Sequence, residues 1–127
     1  MRAHLKGLTS PDVDNLRVFR PRDPRNFAFV LDARIGVEGL PEGEQFRMLV
    51  CTPLWLMENH GIHDVVVGHQ LLIVLAFDLD AIARHLVDYC RRCEGDDWYG
   101  VVRQLMPLGR WEFDQTAQAV ASPAESS

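Results

Sequence analysis

The sequence predicts an α+β domain: a largely antiparallel sheet of about five strands, with two to three helices packed on one face. Three observations carry that reading. Residues 27–35 and 45–51 alternate apolar and polar side chains with a period of two, the pattern of a strand with one buried face. A Gly/Pro loop, "GVEGLPEGE" at 36–44, joins the two runs as a hairpin. Two later stretches place apolar residues at helical spacing, and three early strands without crossover helices favour antiparallel pairing.

The elements follow in order. "RAHLKGL" at 2–8 reads as a short strand. "TSPDVDNL" and the basic "RVFRPRDPRN" at 17–26 read as irregular connection, because Pro21 and Pro24 lack the N–H that a ladder or helix needs. In 27–35, Phe27, Phe29, Leu31, Ala33 and Ile35 share one face; in 45–51, Phe46, Met48 and Val50 do. "TPLWLMENHG" at 52–61 has Thr52 as N-cap, Pro53 at the first helical position and Gly61 for a left-handed exit. "VVVGHQLLIVLAF" at 65–77 is β-branched and apolar, and reads as a strand near the middle of the sheet. Asp78 caps a helix whose stripe runs Leu79, Ile82, Ala83, Leu86, Val87, Cys90 and Cys93, with Gly95 ending it. Asp96 or Asp97 caps a third helix, stopped by Pro107 and Gly109. "RWEF" at 110–113 makes a last short strand with Trp111 and Phe113 on one face. Trp55, Trp98 and Trp111 read as core anchors.

The 127 residues suit one domain, assigned to 1–114, and the small polar tail at 115–127 is expected to be disordered. The longest apolar run is strand-length, so no membrane partner is expected. The N-terminus lacks an apolar signal-peptide core, which points to the cytoplasm. Charge is uneven. Residues 1–36 carry seven Lys/Arg against four Asp/Glu, a balance of +3; residues 37–127 carry six against fourteen, a balance of −8. Nucleic acid is a poor partner for so acidic a stretch, and a basic protein is a better one.

The pair Cys90–Cys93 raises the question of chemistry. A redox C-x-x-C usually opens a helix, where the dipole favours thiolate; this one falls in a last turn, on the apolar stripe. Structural zinc needs four ligands, and a site of Cys90, Cys93, His60 and His63 would require the fold to bring the two pairs together. The favoured reading is packed core thiols, with no cofactor. His4, His69 and His85 fall into no metal spacing, with His69 in a strand and His85 on a polar helix side. Asp78 and Asp80 suit the first turn of a helix without any catalytic role. Acidic residues gather in loops and helix starts: Glu38, Glu42 and Glu44; Glu58 and Asp64; Asp96 and Asp97; and Glu112 with Asp114. They form either a solvated surface or a negative docking patch.

Several stretches together resemble the immunity protein 8 family of bacterial polymorphic toxin systems. They are "SPD" at 10–12, "IG" at 35–36, "VCTPLWL" at 50–56, "LLIV" at 71–74, "CRRCEGDDW" at 90–98 and "GRWEF" at 109–113, spanning about residues 1–114. The resemblance implies a non-enzymatic antitoxin that binds a cognate toxin domain, in such systems often a basic nuclease, and occludes its active site. The family motifs (Cys51, Thr52, Pro53, Trp55, Trp111, Phe113) read as caps and core. The docking candidates are therefore the acidic residues Glu38, Glu42, Glu44, Glu58, Asp64, Asp96 and Asp97. Two alternatives stand beside it: a small metal- or redox-active protein using Cys90 and Cys93, and a homodimerising scaffold. Oligomeric state and strand order are not legible in the chain.

Overall fold

The computed structural model describes residues 1–115. Its elements are β1 (Ala3–Thr9), β2 (Ala28–Val37), β3 (Glu44–Cys51), α1 (Pro53–Asn59), β4 (Leu71–Ile73), α2 (Leu79–Arg91), α3 (Trp98–Leu105) and β5 (Arg110–Trp111). β1, β2 and β3 form an antiparallel meander. β2 takes one edge of β3 along its full length, so β4 and β5 divide the other edge. β4 pairs parallel with residues 49–51, and β5 pairs antiparallel with residues 46–47. The α+β class holds, with one parallel pair in a mostly antiparallel sheet.

The alternation of β2 and β3 does what it promised. Phe29, Leu31, Ala33, Ile35, Phe46, Met48 and Val50 are buried on one face, and Ile82, Leu86 and Cys90 of α2 and Val101, Val102 and Leu105 of α3 pack against them. Truncating one of the large ones, such as Phe46 or Leu86, would cost about 3–5 kcal/mol through lost transfer energy and the cavity left behind. A knot of aromatic rings closes the far end of this core. Phe19 and Phe77 stand edge-on to each other at 5.3 Å, and both meet Phe29. That knot holds the proline-rich connection against the sheet, with Phe77 donating its backbone N–H to Pro24 at 2.8 Å.

Thr52 is wholly buried, and its hydroxyl accepts from Trp55 N at 3.2 Å, the N-cap of α1, and from Phe27 N at 3.3 Å. One side chain thus starts α1 and ties it to the entry of β2. Asp78 and Asp97 cap α2 and α3 by accepting from Ala81 N and Gly100 N. On the opposite face of the sheet, Arg47 makes a two-pronged pair with Asp32, at 2.7 and 2.8 Å.

Four expectations need correction. The run at 65–77 is not a central strand: only Leu71–Ile73 pair, at the edge, and His69 lies exposed in the turn before them. Val65–Val67 and Gly68 belong to no strand. α1 ends at His60 in an extended conformation, so Gly61 is no left-handed exit; instead its N–H donates to Asp64 Oδ2 at 2.6 Å. Cys93 lies beyond α2, whose C-cap is Arg92. Phe113 is 54% exposed and lies against Trp111 rather than in the core, and Trp55 also stays outside the core, whereas Pro53 opens α1 as expected. The tail beyond Gln115 lies outside the described residues.

Candidate functional site

The strand direction divides the acidic candidates into two groups. β3 begins at Glu44 and ends at Cys51, and seven steps of ~3.4 Å set those residues about 24 Å apart. Glu38, Glu42, Glu44, Asp96 and Asp97 collect at the first end. The hairpin 36–44 and the α2–α3 turn meet there: Trp98 lines a small hollow with Val37, Leu40 and Glu42. The chain start lies beside them, since Glu38 N donates to Arg2 O and Gly95 N to Met1 O, both at 2.9 Å. Glu58 and Asp64 lie past the other end of β3, in or after α1. The seven residues are therefore not one patch.

Within the first group the carboxylates are unequal. Glu44 is half-buried and accepts hydrogen bonds from the indole N–H groups of both Trp98 and Trp111, the second at 3.2 Å. It is a clamp, joining the hairpin to α3 and β5. Asp97 is occupied as the cap of α3. Glu38, Glu42 and Asp96 are exposed, and their carboxylates make no hydrogen bond or ion pair among the described residues. Glu94 pairs with Arg2 at 3.2 Å. Cations stand among them: Lys6 donates to Leu40 O and Arg34 to Pro41 O at 2.9 Å, bracing the hairpin from beneath. Gly36 is required here, because a Cβ at that position would run into the Glu42 carbonyl.

At the other end, Glu58 accepts from the Asn26 amide at 2.6 Å and Asp64 is held by Gly61 N. What dominates this end is apolar. Leu54, Met57 and Ile62 are exposed, as are Val65, Val66 and Val67 before β4 and Ile73 and Leu75 in and just after it. Six of the thirteen large exposed apolar residues among those described fall in the crossover from β3 to β4, and Ile73 and Leu75 add two more in and just after β4. Gln70 anchors its return: the side chain is buried and donates to Met106 O at 3.0 Å, and the backbone sits in the left-handed region at φ 59°. The sequence reading missed this surface, because an apolar β-branched run is ordinarily a buried strand. The available signals were Gly61, Asp64 and Gly68, with His60 and His63 before the run and His69 within it.

The cysteines are placed for packing. Cys90 and Cys93 are buried in the core, and Cys93 Sγ donates to Tyr89 O at 3.3 Å. Burial pushes the Cys90 thiol up to about 12, with Cys93 adding to it. Burial also raises Cys93, against a lowering by Arg92, and burial alone raises Cys51. Thiols so held resist ionisation, which both metal binding and exchange require. His60 and His63 are exposed beyond α1, whereas Cys93 O accepts from Ala3 N at the hairpin end. The four are not brought together, and among the described residues no group of three or more His, Cys, Asp or Glu could hold a metal ion.

An open cleft of about 1070 Å³ lies between β1, the proline-rich connection and the start of α2. Leu5, Leu8, Leu16 and Phe77 form its apolar lining, and Arg17 and Arg20 its basic rim. Asp78 at its edge is already used as a helix cap.

With this geometry in hand, the comparison with known families decides the reading of the motifs. The model of immunity protein 8 matches residues 3–116. The chain belongs to the immunity protein 8 family. No curated protein and no solved structure matches it. In this immunity protein the motif stretches are structural. "VCTPLWL" holds the Thr52 hydrogen bonds that start α1, and "CRRCEGDDW" and "GRWEF" each supply one of the two tryptophans clamped on Glu44. No helix among the described residues is long and apolar enough to cross a membrane.

Proposed function

We propose that this protein is an antitoxin that binds a cognate toxin domain and covers its active site, acting by contact and not by catalysis. Membership of the immunity protein family over residues 3–116 carries the reading. The docking end is the hairpin and the α2–α3 turn, where Glu38, Glu42 and Asp96 offer free carboxylates on a braced scaffold. Such a surface suits a basic toxin domain, for which a nuclease is the natural candidate since its own substrate is an anion. Opposite charge would draw the partners together at rates on the order of 10⁸ M⁻¹s⁻¹ at low salt, falling as salt rises. The half-buried Trp98 and the exposed Leu40 beside the carboxylates supply apolar contact once the complex forms. The three unpaired, buried cysteines suit a reducing compartment, the cytoplasm.

Co-expression with the toxin domain encoded alongside it tests the reading. Rescue of growth together with a stable co-purified complex is the expected outcome. Continued toxicity with no complex, from a well-folded protein, would contradict it.

A further inference from the structure

We infer that the apolar crossover between β3 and β4 is a self-association surface, and that its occupant is a second copy of this chain. Ile62 is 95% exposed and Val65 91%, with Met57, Val67, Ile73 and Leu75 also open to solvent. A standard interface takes about 800 Å² from each partner, and the eight large apolar side chains in and beside the crossover, five of them more than 70% exposed, offer surface of that order.

Three features select a second copy over a foreign partner. First, the crossover is nearly free of usable charge. Its two acids, Glu58 and Asp64, are held by Asn26 and Gly61, and two carboxylates among eight large apolar side chains leave charge a minor part of this surface. Second, the chain carries a net charge of −5, so two copies repel wherever their acidic surfaces meet, and a predominantly apolar face is where they can approach. Interfaces between identical chains are also the more apolar kind. Third, the free edge of the sheet runs through this surface. β4 pairs only with β3, with Gln70 O accepting from Leu49 N and Val74 N donating to Cys51 O. In a parallel ladder the peptide groups of the intervening Leu71 and Ile73 then face outward. An edge strand pairs antiparallel with its own copy about a two-fold axis, a self-complementary contact that closes at two chains. The hairpin end stays uncovered in such a dimer, because it lies at the other end of β3.

Sedimentation of the purified chain across the micromolar range tests this without any toxin present. A dimer that dissociates on dilution is expected, and Val65→Lys with Val67→Lys should give a monomer with an unchanged circular dichroism spectrum. Amide exchange at Leu71 and Ile73 should slow as concentration rises. Three outcomes would overturn the inference: a monomer at every concentration, a dimer indifferent to the two lysines, or a monomer whose lysine variant loses capture of the toxin domain. The last would assign the crossover to the toxin instead.

Discussion

The two ends of β3 solve opposite problems with the same kind of chain. At the Glu44 end, a loop rich in glycine and charge is made rigid. Lys6 and Arg34 brace it, Glu44 pins it to two indoles, and Gly36 lets one strand pass close under the Glu42 carbonyl. At the Cys51 end, an apolar β-branched segment that would be expected in a core runs over the outside, with Gln70 anchoring its return. Polarity of sequence therefore does not tell which surface is ordered or which is buried. The network of long-range hydrogen bonds decides the first, and the number of free sheet edges decides the second.

Glycine substitutions separate the ends most sharply. Gly36→Ala should destabilise the protein by about 3 kcal/mol or more, since backbone must move to admit the methyl group. Gly68→Ala meets open space at an ordinary backbone angle and should change stability by no more than about 0.5 kcal/mol, in either direction. Urea unfolding of the two variants side by side makes the comparison; equal losses would refute it. The next largest effect is at the clamp. Glu44→Leu leaves two indole N–H groups without their acceptor and should cost about 2–3 kcal/mol, with a changed tryptophan emission spectrum. Reversing Glu44 to Lys is accordingly a test of folding, whereas Glu42→Lys is a test of docking.

Gln70→Ala should cost about 1–2 kcal/mol by leaving the Met106 carbonyl unpaired and loosening the start of β4. Faster amide exchange at Val74, whose N–H donates to Cys51 O, than in wild type, with β1 unchanged, would locate the damage. The smallest effect concerns the core thiols. Cys90 is raised from 9.0 to about 12, so the folded state holds its proton more tightly than the unfolded state. Its contribution to stability is then complete below pH 9 and is lost as pH rises toward 12. Cys90→Ala should flatten the decline of melting temperature across that window, and an unchanged slope would show that the thiol's burial does not contribute.

Much of this architecture was legible in the chain for a local reason. Alternation in 27–35 and 45–51, and the caps Thr52, Asp78 and Asp97, depend on neighbours within a few residues. What was hidden depends on distant partners. Glu44 looks like any hairpin acid until Trp98 and Trp111 arrive, 54 and 67 residues later. The stretch 65–77 looks like a buried strand because its composition is one. β5 occupies part of the free edge of β3, and only three residues of the run find a place beside it. The acidic candidates were visible as a set, but their division between two ends required the register of β3.

We propose the hairpin end as the surface that meets the toxin domain. Stopped-flow association of that domain with the Glu38→Lys, Glu42→Lys, Asp96→Lys variant tests this most directly, against wild type over a range of salt. An on-rate at least about tenfold slower at low salt, with a flattened salt dependence and an unchanged spectrum of the free protein, is the predicted result. An on-rate and salt slope equal to wild type would contradict it.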